Sequence, residues 1–477
     1  MWKKYPFKTQ PYEHQKKALE LSFDKECFAY FMEMGTGKTK VVLDNVGILA
    51  HNHKIEGALI IAPKSVYSIW ANDEIKAHYP FDDIDIYLWK TPNSMKERIR
   101  DAAFFKNDGT FKFFIMNVEA LSGTKGANAA LKFVNNFKCL VAIDESSKIK
   151  NHQANRTVNV LKLKEKSLYR RILTGTPITN SPLDVYTQFE FLDKEILGHT
   201  SFYTFRNRYC VFHENIVNGK IVKFPKYFTN LNELEDKIKS CSFRVTKEEC
   251  LDLPEKVYQK RFCELSDEQQ KVYDELKDRA LSIIGDSSVS FTHKLTEILR
   301  LHQVANGFVM NDDRSIVEFK TADKLNLLME TLDEIQGKVI IWANYTYNIR
   351  QIENALKTKY GPESTVTFYG DNSTNERIDA REGFQKGNVR FFVGNPQSGG
   401  YGLTLTASCA MIYFNNSYNF EYREQSEARI HRISQKQKCT YIDLICKDTI
   451  DEKVILILKN KIKLSAKILG EQARDWL

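Results

Sequence analysis

Short apolar runs alternate with amphipathic stretches along most of the chain, and this alternation predicts its architecture. Such runs, most of them ending in Gly, Pro, Asn or Asp, are typical of buried parallel strands, and the amphipathic stretches are typical of crossover helices. The predicted strands form two groups, 28–32, 58–61, 113–116, 140–143 and 171–173 in the first half and 339–342, 366–369, 389–393, 411–414 and 441–444 in the second. The pattern therefore predicts an α/β protein with two parallel-sheet lobes.

The segment between the two groups has a different pattern. From about Glu190 to Lys320, apolar residues recur with helical spacing, notably over 258–284 and 291–304. Residues 217–222 contain Asn-Gly between apolar positions, which favours a β-hairpin. The predicted domains are a first lobe over 1–240 with a helical protrusion from about 190, a mostly helical insertion over 241–320, and a second lobe over 321–477.

Composition narrows the class of protein. Of the 477 residues, 42% are hydrophobic and 27% are charged, which is typical of a globular protein and excludes a disordered chain. The chain has no apolar run of the roughly 18 residues that a membrane span requires. Its first residues lack the apolar core of a signal peptide, and its nine cysteines form no C-x-x-C pair. These features predict reduced thiols and a cytoplasmic, nucleoid or host-cell location rather than secretion.

The first candidate site is a glycine-rich turn between a predicted strand and a predicted helix, over residues 31–39. Lys38 would reach the β and γ oxygens of a nucleotide, and the Thr39 hydroxyl would hold Mg²⁺. The residues whose backbone N–H groups would face the phosphates are Gly35, Thr36 and Gly37. An ordinary glycine-rich turn is the alternative, since Met32 stands where the strict P-loop pattern has its first glycine.

A pair of carboxylates, Asp144 and Glu145, follows another predicted strand of the same lobe. In the Walker-B role, Asp144 would hold Mg²⁺ and Glu145 would orient the attacking water. Such a pair alone is more often a loop feature or a helix cap, but a P-loop in the same lobe favours the catalytic interpretation. The residues therefore predict a site that uses ATP and Mg²⁺.

Together these segments resemble the superfamily-two nucleic-acid-dependent ATPases, and among them the Swi/Snf-like double-stranded DNA translocases. The stretch Asp144-Glu-Ser-Ser-Lys-Ile-Lys-Asn151 resembles the Swi/Snf form of the DEAD/DEAH box. The other segments that carry the resemblance are 11–15, 60–64 with Trp70, 173–178 with Asn180, 244–247 with Leu253-Pro254, 339–342, 369–370, 398–405 and 425–435. The resemblance implies two RecA-like lobes in tandem with a mostly helical insertion between them.

The resemblance also implies roles for individual residues. Gln15 would contact the adenine base, Gly402 would contact the nucleotide, and Arg429 and Arg432 would be arginine fingers that complete the site when the lobes close. The residues implied to contact nucleic acid are Lys64, Lys148, Lys150, Thr176, Ser398 and Gly399. An exposed basic helix face is the alternative for the two arginines, and plain turns for the glycine-containing segments. The chain departs from the family pattern at Met32, Ser146, Ser147, Thr404 and Ser434.

The net charge of +8 is concentrated in one stretch of the sequence. Residues 146–173 hold eight basic residues and one acid, Glu165, so this window is +7 and the remaining chain is +1. Its basic residues are Lys148, Lys150, Arg156, Lys162, Lys164, Lys166, Arg170 and Arg171. The first three are expected to contact a nucleic-acid backbone, and the three middle lysines are expected on a solvated helix face. The window predicts a polyanion-binding surface directly behind the carboxylates.

The leading hypothesis is an ATP- and Mg²⁺-dependent motor that translocates on duplex DNA, plausibly in fork remodelling, annealing or repair. The alternatives are a strand-separating DNA or RNA helicase and an ATP-gated nucleic-acid-binding module without motor activity. Most aromatic residues are expected in the core, whereas Trp70 and Trp342 are candidates for stacking on bases. RNA is a possible partner, no membrane is expected, and protein partners are not predicted.

Overall fold

The computed structural model describes residues 4–64, 66–217, 220–285, 291–311, 313, 315–321, 323–399 and 403–471. These residues form two compact units. The first unit comprises 4–210, 228–251 and 464–471, and the second comprises the described residues of 211–227 and 252–463. Across the described ranges, no helix is both long and apolar enough to cross a membrane.

The first unit alternates strands and helices, as the apolar pattern predicts. Its helices are α1 (Glu13–Ser22), α2 (Lys38–His51), α3 (Tyr67–Ile69), α4 (Ile75–His78), α5 (Met95–Phe104), α6 (Thr124–Asn136), α7 (Asn155–Leu161), α8 (Tyr186–Leu192), α9 (Lys194–Leu197), α10 (Phe202–Tyr209), α11 (Leu231–Ser240) and α12 (Lys247–Cys250). The strands up to residue 245 are β1 (Cys27–Met32), β2 (Gly57–Ala62), β3 (Ile84–Leu88), β4 (Phe111–Asn117), β5 (Cys139–Asp144), β6 (Tyr169–Leu173), β7 (Cys210–Val217), β8 (Lys220–Phe228) and β9 (Ser242–Val245).

Seven of these strands form one sheet in the order β3-β4-β2-β5-β6-β1-β9, with parallel pairing throughout. Successive residues of the central strands enter opposite cores: Leu59 packs in one apolar cluster and Ile60 in the other. Such two-sided burial explains why these strands read as continuous apolar runs. Strands β7 and β8 pair in a separate two-stranded sheet, at the position where Asn-Gly predicts a hairpin.

The second unit contains β7 and β8, apart from Cys210 and Phe228, and the elements that follow residue 251. Its helices are α13 (Asp267–Gly285), α14 (Phe291–Val304), α15 (Asp323–Glu334), α16 (Thr346–Tyr360), α17 (Thr374–Lys386), α18 (Pro396–Gly399), α19 (Phe420–Glu427) and α20 (Ile450–Leu469), the last residues of α20 being assigned to the first unit. Its strands are β10 (Lys256–Cys263), β11 (Phe308–Met310), β12 (Ile316–Glu318), β13 (Val339–Trp342), β14 (Thr365–Phe368), β15 (Phe391–Gly394), β16 (Ala410–Tyr413) and β17 (Cys439–Cys446).

Six strands of the second unit form a parallel sheet in the order β10-β17-β16-β13-β15-β14. All ten strands predicted from the apolar runs are therefore present, and the predicted fold class of two parallel-sheet lobes is confirmed. The long helices α13 and α14 lie within the stretches where helical spacing predicts them. The prediction is wrong for residues 258–263 of the first stretch, which form strand β10 because they pair with β17. Strand β9 pairs with β1, so residues 242–245 lie in the first sheet although the predicted insertion begins at 241.

Three strands of the two parallel sheets have no counterpart in the prediction: β3, β9 and β10. Each lies at the edge of its sheet. An edge strand is exposed along one side and carries polar residues, as in Lys256-Val-Tyr-Gln-Lys-Arg-Phe-Cys263 of β10. The search for short apolar runs therefore finds the central strands and misses these edges.

A buried polar network lies in the second unit around Asp451. Lys324 donates to its carboxylate and also, over 3.0 Å, to the side-chain oxygen of Asn306. The Cys446 N–H donates to the same carboxylate over 3.1 Å, and a ring nitrogen of His302 lies 3.4 Å from its other oxygen. Burial alone would raise the pKa of Asp451, but Lys324 and His302 outweigh burial and lower it to about 2. The network joins α14, α15 and the start of α20.

The basic window 146–173 is not a uniform surface. Arg171 is fully buried, and its guanidinium donates to the Asn45 side chain and to four backbone carbonyls. Arg170 donates to the carbonyls of Leu192, Lys164 and Ser167. These two cations hold chain segments together inside the first unit. The positive charge of this window that is available to bind a polyanion is therefore less than the +7 obtained from the charge count.

Candidate functional site

The glycine-rich turn joins β1 to α2 as the P-loop interpretation requires. Gly35 and Gly37 both have left-handed backbones, with φ of 87° and 84°, which glycine adopts at little cost. Lys38 is buried and donates to the Met32 carbonyl over 2.9 Å. Burial lowers the pKa of Lys38, and the carboxylates of Glu145 and Asp144 act in the opposite direction. The lysine and both carboxylates thus meet at the carboxyl edge of the first sheet.

The departure at Met32 has a structural explanation. This residue is the last of β1, and its side chain is buried in an apolar cluster beside α2. The turn itself begins at Glu33, so the side chain at position 32 does not enter the space that phosphates would need. Thr36 closes the turn by donating its hydroxyl to the Glu33 carbonyl over 2.7 Å.

Gln15 packs directly against the turn. Its amide nitrogen donates to the Thr36 carbonyl over 3.2 Å, and its amide oxygen accepts from the Tyr12 N–H over 2.9 Å. A Cβ added to Gly37 would lie 2.1 Å from the Gln15 amide nitrogen and would displace the Gln15 side chain, and the left-handed φ of position 37 favours glycine independently. The structure thus brings Gln15 to the turn, with its amide bound to protein atoms.

Asp144 ends β5 and is held by two donors. Trp70 donates its indole N–H to Oδ2 over 3.0 Å, and the Glu145 N–H donates to Oδ1 over 3.0 Å. Burial raises the pKa of Asp144, and these hydrogen bonds together with Lys38 partly offset that effect. The suggestion that Trp70 and Trp342 stack on bases is wrong here: both rings are buried, at 2% and 0% exposure.

Glu145 has a left-handed backbone with φ of 50°, which is unusual for a residue with a long side chain. Its carboxylate accepts from the Thr174 hydroxyl over 3.3 Å, and the same hydroxyl accepts from the Thr176 N–H over 3.1 Å. Strained backbones of this kind cost about 1–3 kcal/mol and occur most often at functional sites. The hydrogen bonds through the Thr174 hydroxyl connect the carboxylate proposed to orient water to the segment 174–176.

Ser146, a departure from the family pattern, is part of a second buried connection. Its hydroxyl donates to the Gln188 side-chain oxygen over 2.7 Å, and the Gln188 amide donates to the Pro177 and Asp184 carbonyls, each over 2.8 Å. Asp184 in turn accepts from the backbone and hydroxyl of Thr179, each over 2.9 Å. The carboxylate segment and the segment after β6 are therefore joined twice through hydrogen bonds.

The predicted arginine-finger segment differs in two respects from the sequence interpretation. Helix α19 ends at Glu427, so the two arginines lie in turns and the exposed-helix alternative does not apply. Arg429 is fully buried and donates to the Gln425 and Leu403 carbonyls. Arg432 is half-buried and donates to the Thr404 hydroxyl over 2.7 Å. Of the two predicted fingers, Arg432 alone reaches the surface of the second unit.

The remaining predicted residues lie in different environments. Lys64 is exposed just after β2, and Lys148 is half-buried in the 3₁₀ turn after Glu145. Lys150 donates to the Thr179 hydroxyl, whereas Thr176 is buried at 8% exposure. Three more predicted site residues are described: Thr39 is half-buried as the second residue of α2, and Ser398 and Gly399 end the short helix α18. Gly402 lies outside the described residues.

Two basic residues near the turn carry no individual role in the sequence interpretation. Arg244 donates to the Phe31 carbonyl over 3.0 Å and to the Gly175 carbonyl over 2.9 Å, which ties the end of β1 to the segment after β6. The Lys247 N–H donates to Glu33 over 2.8 Å, and a Cβ on Gly35 would lie 3.6 Å from its side chain. Both belong to the segment 244–247 that resembles the exit from the first lobe, and that resemblance was the available signal.

Family comparison agrees with this arrangement. The sequence model of the SNF2-related domain matches residues 14–312, and that of the helicase conserved C-terminal domain matches residues 323–434. The chain belongs to the SNF2-related family. The resemblance predicted from the motifs is thereby confirmed. The first match covers the whole first sheet and continues through β10, α13 and α14 of the second unit, and the second match covers β13 to β16.

Several proteins resemble this SNF2-related chain. An uncharacterized ATP-dependent helicase of Mycoplasma genitalium is 27% identical over 92% of this chain, and YwqA of Bacillus subtilis, named as a helicase/translocase, is 26% identical over 93%. RDH54 of Saccharomyces cerevisiae, a DNA repair and recombination protein, is 27% identical over 80%. The chain spans 40%, 46% and 42% of the lengths of these three relatives.

A solved structure is also similar, the SWI2/SNF2 ATPase core of Sulfolobus solfataricus in complex with double-stranded DNA. It is 23% identical, with 98% of this chain and 94% of that chain covered and a TM-score of 0.42.

Proposed function

We propose that this chain is an ATP- and Mg²⁺-dependent motor that translocates on double-stranded DNA, with fork remodelling, strand annealing or repair as its setting. The observation that carries the proposal is the convergence of Lys38, Asp144 and Glu145 at one sheet edge, connected by hydrogen bonds to the segment 174–176. The family assignment and the helicase, translocase and repair names of the relatives support it.

The residues present fit ATP with Mg²⁺. Each oxygen of Asp144 accepts one hydrogen bond from the protein, which leaves further lone pairs for a cation, and the Thr39 hydroxyl lies in the first turn of α2. Among the described residues, no group of three His, Cys, Asp or Glu side chains could hold a metal alone. Mg²⁺ bound by one carboxylate, one hydroxyl and substrate phosphates suits such a donor set.

Each residue has a defined task in the proposed hydrolysis. The left-handed glycines and the N-terminus of α2 would bind the phosphates, and Lys38 would leave the Met32 carbonyl to pair with the β and γ oxygens. Glu145 would orient the attacking water, and Arg432 would be the arginine finger. Arg429 is better suited to support Arg432, because its guanidinium is fully buried against two carbonyls, whereas Arg432 is only half-buried.

Duplex DNA is the proposed polymer partner. Lys64, Lys148 and Lys150 follow strands β2 and β5, whose carboxyl ends share the sheet edge with the phosphate turn. Lysines that contact the phosphate backbone set affinity and salt dependence without selecting sequence. Such contacts suit a motor that must move along any sequence.

The test compares ATP turnover with single-stranded DNA, duplex DNA, forked DNA and RNA at one salt concentration. We expect the largest stimulation by duplex DNA, and stimulation by RNA alone would overturn the proposal. Lys38→Ala should abolish turnover while DNA binding is retained, whereas Lys17→Ala, at an exposed position of α1, should behave as the wild type.

A strand-separating helicase is the second candidate, because the Mycoplasma genitalium relative is named as an ATP-dependent helicase. Displacement of a triplex-forming strand from blunt duplex, without unwinding of a forked duplex, supports translocation. Unwinding of the fork at a comparable rate supports the helicase. A protein that binds DNA and ATP without any stimulated turnover would instead be an ATP-gated binding module.

A further inference from the structure

Trp70 occupies an irregular part of the chain between β2 and the next strand. Residues Trp70–Glu74 form a π-helical turn between α3 and α4, closed by the Ile75 N–H donating to the Trp70 carbonyl. A π turn of this kind is rare, and such turns occur frequently at functional sites. Here the widened turn begins at Trp70, whose indole donates a hydrogen bond to Asp144.

The contact links two segments that are 74 residues apart in sequence. Trp70 follows β2 and Asp144 ends β5, and these two strands are neighbours in the sheet. The indole therefore reaches across from the segment after one strand to the last residue of the adjacent strand. With the Glu145 N–H on the other oxygen, the carboxylate of Asp144 is fixed at both of its oxygen atoms.

Packing alone does not account for a tryptophan at this position. The ring fills an apolar cluster together with Ala62, Ala71 and Ile75, a task that phenylalanine could also perform. What phenylalanine lacks is the N–H group, and a buried indole N–H usually binds an acceptor. In this protein that acceptor is the carboxylate to which the proposed function assigns Mg²⁺.

We propose that Trp70 is a positioning residue for the metal site: its indole N–H fixes the Asp144 carboxylate in the orientation that binds Mg²⁺ together with a nucleotide. This inference rests on the proposed function, since it requires a nucleotide-bound metal at Asp144. Partners of metal ligands commonly contribute 10-fold to 100-fold to metal affinity. Loss of the N–H group should therefore weaken binding of the metal ion, while the phosphate turn remains intact.

The test measures Mn²⁺ binding in the presence of a saturating, non-hydrolysable ATP analogue, by the loss of the free Mn²⁺ signal in electron paramagnetic resonance. Trp70→Phe should lower Mn²⁺ affinity about 10-fold to 100-fold, while affinity for the analogue in EDTA stays within about threefold of wild type. Trp89→Phe is the matched control, because Trp89 is a buried tryptophan in the other apolar cluster of the first unit. It should leave both affinities unchanged.

Fluorescence supplies a second readout. Bound Mn²⁺ should quench tryptophan emission in the wild type and in Trp89→Phe. Loss of this quenching in Trp70→Phe, which lacks the indole, would identify Trp70 as the quenched residue and place the metal beside it. If Trp70→Phe folds poorly, benzothienylalanine incorporated at position 70 keeps the ring shape and removes only the N–H group, and it should reproduce the weaker Mn²⁺ binding.

Mn²⁺ affinity equal to that of wild type in both position-70 variants would overturn the role of Trp70 and leave the proposed function standing. A wild-type protein that binds the analogue and Mn²⁺ no better than Asp144→Asn would instead reject the metal site itself, and both proposals with it. The two failures are therefore distinguished by comparing the titration of wild type with that of Asp144→Asn.

Discussion

Replacement of Arg171 by methionine should destabilise the first unit without a direct effect on DNA binding. The guanidinium makes five hydrogen bonds, to the Asn45 side chain and to the carbonyls of Glu26, Arg170, Ser22 and Lys25. At about 1 kcal/mol net for each bond, and with some relaxation, the loss is about 4 kcal/mol. For a unit of this size, that corresponds to a fall in melting temperature of roughly 8–16 °C.

The assay pairs thermal unfolding with a DNA-binding titration over a range of salt concentrations, corrected for the folded fraction. Lys166→Met is the matched control, because Lys166 is an exposed cation of the same charged window and its loss should leave the melting temperature unchanged. Lys148→Met should keep the melting temperature. It should reduce by about one the slope of the logarithm of the DNA-binding constant against the logarithm of the salt concentration. Normal stability of Arg171→Met combined with a reduced salt slope would refute the structural assignment of this arginine.

Three further outcomes are expected. Glu145→Gln should reduce ATP turnover by about 10²–10⁴-fold with nucleotide affinity retained, as stopped-flow binding and turnover assays would show. Thr404→Ala removes the hydrogen bond from Arg432 to the Thr404 hydroxyl and leaves the bond from its Nε to the Ala428 carbonyl. Turnover should fall about threefold to tenfold at constant KM, with no additional loss when Thr404→Ala is combined with Arg432→Ala. The pKa of Asp451, lowered to about 2, adds stability above pH 4 that is lost as the pH falls from about 4 to about 2. Acid titration followed by circular dichroism should show about 2 kcal/mol of this pH dependence in wild type and its absence in Asp451→Asn.

The buried central strands could be predicted from the sequence, because both of their faces are apolar. Runs such as Val339–Trp342 have no polar residue to interrupt the signal. The edge strand Lys256–Cys263 could not be predicted in the same way, since its side chains alternate between partly buried and exposed positions. Its pairing with Cys439–Cys446 depends on a strand nearly 180 residues later.

Local motifs identify the candidate site residues in the sequence, but they do not predict the environment of each residue. The phosphate turn and the carboxylate pair are each formed by consecutive residues, so Lys38 and Asp144 could be selected from the sequence as candidates. The charge count, in contrast, treated Arg171 as equivalent to an exposed lysine, although its guanidinium binds carbonyls inside the fold. The contact of Trp70 with Asp144 spans two strands, and a single sequence contains no signal for it.

The left-handed backbone at Glu145 also bears on how this gene should evolve. The proposed hydrolysis requires a carboxylate there, whereas the backbone conformation is most easily adopted by Gly, Asn or Asp. Selection for hydrolysis thus maintains a residue that local conformational energy disfavours. In a lineage released from that selection, position 145 should drift to one of these three residues sooner than the neighbouring core position Ile143 changes, and such drift would mark copies that have lost their motor.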